Sequence, residues 1–356
     1  MSNGIYIHIP FCLSKCAYCD FNSKADALYL AEDYITSLIG EMKKFRGITA
    51  DSVYIGGGTP TVLSDELTEK LLYSVNDIFS LLPDTEFTVE SNPATADVKK
   101  YRLLKKYGVN RLSIGVQSFN DNELLALSRI HSSRDAVNAV LFAKESGFTN
   151  IGIDLMEGIP EQTLKSLEHS LEEALKFDVK HISVYSLIIE EGTPFYKNTP
   201  PLPSEDKERE MYSLTKKMLS ENGFLHYEIS NYAKEGFRSR HNTKYWTRED
   251  YYGFGAGAHS FYGNVRYENI RDIKSYIASC DKTAAKTIIS ETEAEYERFM
   301  LGFRMLDGFD TKGHFKDKIN KLKQEGLIVI KGSSARLSER GEDLANLVFM
   351  EFLGDD

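Results

Sequence analysis

The sequence predicts an α/β protein whose core is a six-stranded parallel sheet curled into an open barrel, followed by an α+β cap and a small helical module. Two features point there. Apolar runs of strand length recur six times, each followed by a turn and then a helical pattern, the rhythm of repeated βα units. Within those runs, residues of one numbering parity are apolar and residues of the other are small or polar.

The runs are 5–10, 53–60, 87–93, 112–119, 151–160 and 182–189. The clearest helix between them covers 161–177, with Leu164, Leu167, Leu171, Ala174 and Leu175 at helical spacing. One strand face carries Ile5, Ile7, Ile9, Val53, Ile55, Phe87, Val89, Leu112, Ile114, Val116, Ile151, Ile153, Leu155, Ile182 and Val184. The other carries Tyr6, His8, Tyr54, Gly56, Gly58, Thr88, Glu90, Ser113, Gly115, Gln117, Gly152, Asp154, Met156, Ser183 and Tyr185. A parallel sheet covered by helices on both sides reads as apolar on both faces. A closed eight-stranded barrel is filled with branched side chains. One polar face on six strands therefore predicts a partial (β/α)6 barrel with a ligand in its lumen; the competing reading is a doubly wound sheet with buried, bonded polar residues.

After residue 220 the rhythm breaks. The segment 221–290 is rich in Tyr, Phe and Gly, as in Tyr251-Tyr252-Gly253-Phe254-Gly255. Helical stretches near 291–305, 315–324 and 341–353 flank two short strands, 327–330 and 335–337, a pattern similar to a winged helix. The expected organisation is a barrel over 1–220, a cap over 221–300 and a C-terminal module over 301–356. The module's Lys312, Lys316, Lys318, Lys321 and Lys323 read as a solvated helix face beside Asp317 and Glu325.

Composition bounds the function. A chain of 356 residues suggests roughly two domains at about 150 residues each. With 43 basic and 53 acidic residues and a net charge of −10, the chain is not expected to bind nucleic acid or an anionic membrane surface. The N-terminus has no basic n-region, its apolar stretch is broken by Tyr6 and His8, and no apolar run approaches the ~20 residues of a membrane span. A cytoplasmic location without an integral membrane segment is expected, and a reducing compartment leaves metal or redox chemistry as the natural use of clustered cysteines.

Three of the four cysteines are clustered, as Cys12-x3-Cys16-x2-Cys19, directly after the first strand. Three thiolates from one loop can hold three corners of an iron–sulfur cluster and leave one iron open. The alternative is zinc, with His8 or Cys280 as fourth ligand, although structural zinc sites usually draw their cysteines from two separate knuckles. Cys280 itself reads as a half-buried helical thiol. His131, two residues after Arg129, is left unassigned, and the glycines of 253–259 read as a close-packed turn rather than a phosphate loop.

This cysteine spacing resembles the signature of the radical S-adenosylmethionine (SAM) superfamily. Further segments narrow the likeness: Tyr6-x-His8-Ile9-Pro10-Phe11-Cys12, Gly56-Gly57-Gly58-Thr59-Pro60, Glu90-Ser91-Asn92-Pro93, Gly115-Val116-Gln117-Ser118-Phe119 and the run Asp154 to Pro160. Together they resemble the oxygen-independent coproporphyrinogen III dehydrogenase family and its relatives, the heme chaperones called HemW. The resemblance implies a 4Fe-4S cluster on Cys12, Cys16 and Cys19. It implies one SAM contacted by Tyr6, Gly57 and Glu90, and a second, as in the dehydrogenase, contacted by Tyr18, Gly58, Thr59, Gln117, Arg129 and Asp154.

Two features separate the relatives. The dehydrogenase motif continues Cys-x-Cys, whereas Asp20-Phe21 follows Cys19 here, the chaperone pattern. His241-Asn242-Thr243-Lys244-Tyr245-Trp246 matches the chaperones' HNxxYW motif and contains the chain's only tryptophan. By this resemblance His241, Asn242, Tyr245 and Trp246 contact heme, an imidazole being able to ligate iron and the aromatic rings offering a flat apolar surface. The expected function is heme binding and delivery to heme-accepting proteins. The alternative is the dehydrogenase reaction, radical oxidative decarboxylation of propionate side chains in porphyrin biosynthesis.

Overall fold

The structure is a computed structural model and describes residues 2–353. Six parallel strands stand side by side: β1 (Asn3–Ile9), β2 (Thr49–Gly57), β3 (Ser80–Ser91), β4 (Arg111–Gln117), β5 (Asn150–Glu157) and β6 (His181–Ser186). The crossovers run through α1 (Ala31–Lys43), α2 (Asp65–Ile78), α3 (Val98–Lys106), α4 (Asp121–Ala126) with α5 (Ser133–Glu145), and α6 (Leu164–Leu175). Residues of the apolar parity face these helices and are buried, with Ile5, Ile7, Ile9, Val53, Leu112, Ile114, Ile153 and Ile182 wholly inaccessible. Side-chain caps start the helices: Ser64 accepts from the Leu67 amide before α2, and Ser132 and Asp135 form a reciprocal capping box before α5.

The strands begin earlier than the apolar runs suggest. Their first residues, such as Asn3, Thr49, Arg111 and His181, are polar or basic and carry no hydrophobic signal.

The barrel does not close on itself. Helices α7 (Pro194–Lys197) and α8 (Glu205–Glu221) follow β6, and β7 (Leu225–Glu228) and β8 (Asn231–Ala233) then extend the sheet beyond β6 with antiparallel pairing. After α9 (Arg240–Thr247), the strands β9 (Tyr251–Phe254), β10 (His259–Tyr262), β11 (Val265–Asn269) and β12 (Thr283–Ile288) extend it beyond β1, with α10 (Ile273–Ala278) packed on α1. The segment read as a cap thus builds no sheet of its own; it supplies both ends of one twelve-stranded sheet. The sheet edges left by six strands need pairing, and these strands provide it. The glycine-rich turn at 253–258 is close-packed as expected: a β-carbon on Gly255, whose φ is +105°, would lie 2.6 Å from the Tyr34 hydroxyl.

The C-terminal part holds a second core. Helices α11 (Glu291–Gly302), α12 (Lys316–Gln324), α13 (Glu339–Asp343) and α14 (Ala345–Met350) surround a small sheet of β13 (Phe309–Asp310), β14 (Ile328–Lys331) and β15 (Ser334–Leu337). Phe299, Phe303, Leu322, Leu337, Val348 and Phe352 are its buried centre. Cys280 is exposed and lies two residues beyond α10, not within a helix.

One buried carboxylate ties the added strands to the barrel. Glu41 of α1 accepts from the Gly255 amide at 2.9 Å, Asn269 Nδ2 at 2.7 Å and the Tyr276 hydroxyl at 2.6 Å. Burial raises its pKa, and the three donors oppose that rise. Glu41→Ala leaves three buried donors unmet and is expected to cost about 3 kcal/mol or more, read as a lowered urea midpoint.

Candidate functional site

The three cysteines lie in the loop that leaves the carboxyl end of β1, as expected, and all three line a cavity of about 340 Å³ that opens there. The Cys12 amide donates to the Lys24 carbonyl at 3.1 Å and that of Cys19 to the Cys16 carbonyl at 3.2 Å, which fixes the loop's turns. Thr59 Oγ1 lies 3.6 Å from Cys12 Sγ, and Arg129 Nη1 lies 3.4 Å from Cys16 Sγ. Burial pushes the Cys19 thiol up to about 11. Among the described residues no three His, Cys, Asp or Glu side chains converge as for a single ion. The thiols instead line one wall of a wider space, and three soft donors on one loop suit an iron–sulfur cluster with one iron open.

The polar parity lines this cavity. Tyr54, Glu90, Ser113, Gly115, Gln117, Asp154, Met156, Ser183 and Tyr185 all reach it, together with Tyr18, Gly57, Gly58, Thr59 and Arg129. Tyr6 is set apart and faces a neighbouring cavity that shares Gly57 and Glu90. Gln117 reaches the lumen through a left-handed backbone at φ 67°, where the register of β4 against β5 shifts.

Glycine shapes the end of β2. A β-carbon on Gly56 would lie 2.7 Å from the Glu90 carboxyl carbon. One on Gly57, at φ +111°, would lie 2.5 Å from the His8 ring. Glu90 fills the space this leaves: Oε1 accepts from the Tyr54 hydroxyl at 2.7 Å and Oε2 from the Gly57 amide at 3.0 Å. Asp154 accepts from Ser113 at 3.0 Å and Ser183 at 2.7 Å. Burial first, then the Asp154 charge, pushes Glu90 up to about 7; burial also raises Asp154. Arg129 is held by Nη2 on the Gly115 carbonyl at 2.6 Å. His131, which the sequence left unassigned, is buried with Nε2 3.0 Å from the Val116 carbonyl, and burial lowers it to about 4.

Helix α9 closes the opposite, amino-terminal end of the lumen. Its first amides, those of Arg240 and His241, donate to the two Glu86 oxygens at 3.1 and 3.2 Å. Asn242 lines the lumen cavity, whereas Tyr245 and Trp246 line a separate one. His241 is wholly buried: Nδ1 lies 3.1 Å from Ser52 Oγ and Nε2 2.8 Å from the Tyr245 hydroxyl, and its ring stacks on Tyr54 and Tyr6. Burial lowers its pKa to about 3. Both ring nitrogens of His241 are therefore engaged within the protein.

A model of the radical SAM superfamily matches residues 6–174. The chain is 40% identical to the heme chaperone HemW of Bacillus subtilis (strain 168), over 98% of this chain and 99% of that one. The chain belongs to the HemW family of radical SAM proteins. The heme chaperone HemW of Lactococcus lactis subsp. lactis (strain IL1403) is 36% identical over 99% of this chain and 98% of its own. The solved radical SAM enzyme coproporphyrinogen III oxidase (HemN) from Escherichia coli superposes with a TM-score of 0.87 at 20% identity, over 99% of this chain and 90% of that one, a likeness of fold. Membership of this superfamily implies a 4Fe-4S cluster and SAM. No helix among the described residues is long and apolar enough to cross a membrane.

The sequence reading missed the lumen floor. Ser52, Glu86, Arg111 and His181 are all buried there, each one strand repeat of two residues before the first polar-face residue recognised on its strand. Extending the parity upstream finds them. Arg111, 1% exposed, lines the cavity with Nη1 3.4 Å from Thr88 Oγ1 and Nε unpartnered.

Glu90 sets a pH dependence for the ligand-free chain. Its folded pKa of about 7 lies above its ordinary value of 4.5, so between these the folded state holds a proton that the unfolded state has lost. Stability therefore falls as pH rises from about 4.5 to 7. Buried Glu157, also raised to about 7 by burial, acts the same way. Thermal melts from pH 5 to 8 should show Glu90→Gln gaining on the parent as pH rises, and Glu90→Gln with Glu157→Gln gaining more.

Proposed function

We propose that the chain binds heme and hands it to heme-accepting proteins, on a scaffold that carries a 4Fe-4S cluster and SAM. The observation that carries this reading is the place of α9. The helix with the HNxxYW residues seals the lumen whose mouth carries the three cysteines: Asn242 lines that lumen, Tyr245 lines the neighbouring cavity with Tyr6, Gly57 and Glu90, and Tyr245 and Trp246 together line a third. Relatives matched along nearly the whole chain are heme chaperones, which supports it, as does Phe21, 59% exposed at the pocket wall, where the dehydrogenase pattern has a fourth cysteine.

Cys12, Cys16 and Cys19 hold the cluster in this reading, which when bound supplies an open iron for the amino and carboxylate groups of SAM and a single electron. Tyr6, Gly57 and Glu90 contact that SAM. Tyr18, Gly58, Thr59, Gln117, Arg129 and Asp154 offer the contacts for a second. What the chain itself does is positional. Tyr54 and the Gly57 amide orient the Glu90 carboxylate toward a cationic group, Ser113 and Ser183 hold Asp154, and the Gly115 carbonyl aims Arg129 at the cysteine loop. The location consistent with this role is the cytoplasm, and the heme acceptor is a soluble or membrane-bound hemoprotein met there.

Hemin titration of the anaerobically reconstituted chain, with and without SAM, tests the proposal. A saturable Soret band is expected, and coproporphyrinogen III supplied with SAM and reductant should stay unconverted. Efficient protoporphyrinogen formation would instead make the chain the dehydrogenase. Replacing any one of Cys12, Cys16 or Cys19 by Ala should remove most iron and acid-labile sulfide.

SAM affinity should also depend on pH through Glu90. The ionised carboxylate attracts the cationic sulfonium of SAM and the protonated acid does not, so affinity falls as pH drops below about 7, by at most tenfold per pH unit. Calorimetry should find this slope in the parent and a flat, weaker profile in Glu90→Gln.

A further inference from the structure

Helix α9 turns its two halves to different places. His241 is buried against the barrel, whereas Tyr245, which also lines the cavity beside Tyr6, joins Trp246 in one wall of a separate cavity of about 230 Å³. The other walls include Phe261 and two arginines, Arg248 and Arg266. Both guanidinium groups lie over the Phe261 ring, at 4.8 and 6.0 Å from its centre. They share one carboxylate: Arg248 Nε lies 3.0 Å from Glu297 Oε2, and Arg266 Nη1 lies 3.1 Å from Glu297 Oε1. Two positive charges meet one negative charge, and the cavity keeps a surplus of one.

The Trp246 indole N–H is buried without a partner, while its ring face is occupied by the Arg304 guanidinium at 4.3 Å. Aromatic walls and a surplus of guanidinium together suit a conjugated planar ligand with carboxylates on its edge. A cavity of this volume lies below the range of about 300–1,000 Å³ that encloses a whole drug-sized ligand, so it takes an edge of a macrocycle rather than all of it.

We propose that this cavity receives the propionate edge of a tetrapyrrole, with Arg248 and Arg266 binding its carboxylates in place of Glu297. The proposal rests on the heme reading above and locates it. It makes recognition by the motif independent of iron, since the groups that meet the ligand are rings and guanidinium groups and the imidazole is engaged elsewhere. Iron-free protoporphyrin IX should therefore bind here much as hemin does, and Glu297 acts as a competitor for its own arginines.

Trp246, the chain's single tryptophan, reports on the cavity directly. Its emission is followed as the full cluster-loaded chain is titrated with hemin, protoporphyrin IX and protoporphyrin IX dimethyl ester. The free acids should quench it with similar affinity and the ester should bind about tenfold or more weakly, as expected for lost charge-assisted hydrogen bonds. Arg266→Gln should weaken the free acid by about tenfold and leave the ester unchanged. Glu297→Gln should tighten the free acid severalfold, a gain that damaged folding does not produce. Equal binding of acid and ester, or affinities unmoved by both substitutions, overturns the proposal. A Soret band that saturates while Trp246 emission stays constant also overturns it and leaves the heme reading standing; absence of any porphyrin binding to the parent chain overturns both.

Discussion

The lower end of the barrel is held by one carboxylate. Glu86 of β3 accepts the first two amides of α9, and no water-filled alternative is open to it because it is 7% exposed. A helix N-terminus carries partial positive charge, so a buried anion there is met by the peptide dipoles as well as by the two hydrogen bonds. Lys244, 4% exposed, holds the other side of the helix on Asp51 and Glu249 at 3.0 and 2.8 Å. With α9 fixed in this way, His241 is driven between Ser52 and Tyr245, the lumen gains a floor, and Trp246 is left half-buried beneath Arg304.

That arrangement joins the two ends of the molecule's chemistry. The His241 ring stacks on Tyr54, with centroids 5.4 Å apart, and the Tyr54 hydroxyl holds Glu90. Tyr6, stacked on His241 at 6.4 Å, is bonded to His8, whose ring fills the space left by Gly57. Any displacement of α9 therefore reaches the carboxylate and the glycine turn beside the cysteine loop through direct contacts. The groups involved are tyrosines and a neutral imidazole rather than mobile ions, so the contacts are short-range packing and hydrogen bonds that salt does not screen.

Much of this was legible in the sequence. Parity along the strands separated the helix-packed face from the lumen, and three thiols in eight residues marked the mouth. What stayed hidden has physical causes. Arg111, Glu86 and His181 begin or precede the apolar runs, and a hydrophobic signal does not mark a strand where it carries charge. The motif resemblance makes His241 a heme contact; its burial against the barrel, which spacing does not announce, depends on Ser52, nearly two hundred positions earlier in the chain. The strands β9 to β12 looked like a separate cap because the parallel pairing of β9 with β1, on which the antiparallel β10 to β12 build, is set by tertiary pairing. Arg248 and Arg266 meet at Glu297 and over the Phe261 ring, contacts between distant parts of the chain that spacing does not announce.

A heme donor must release what it binds. The decisive measurement mixes the heme-loaded, cluster-containing chain anaerobically with an excess of an apo-hemoprotein and follows the acceptor's Soret band against free hemin at equal concentration. Heme should pass to the acceptor at a rate that rises with acceptor concentration, as direct transfer within a complex requires. Heme retained on the chain, or a rate independent of acceptor and equal to simple dissociation, would contradict the assignment of this chain as a chaperone that delivers heme.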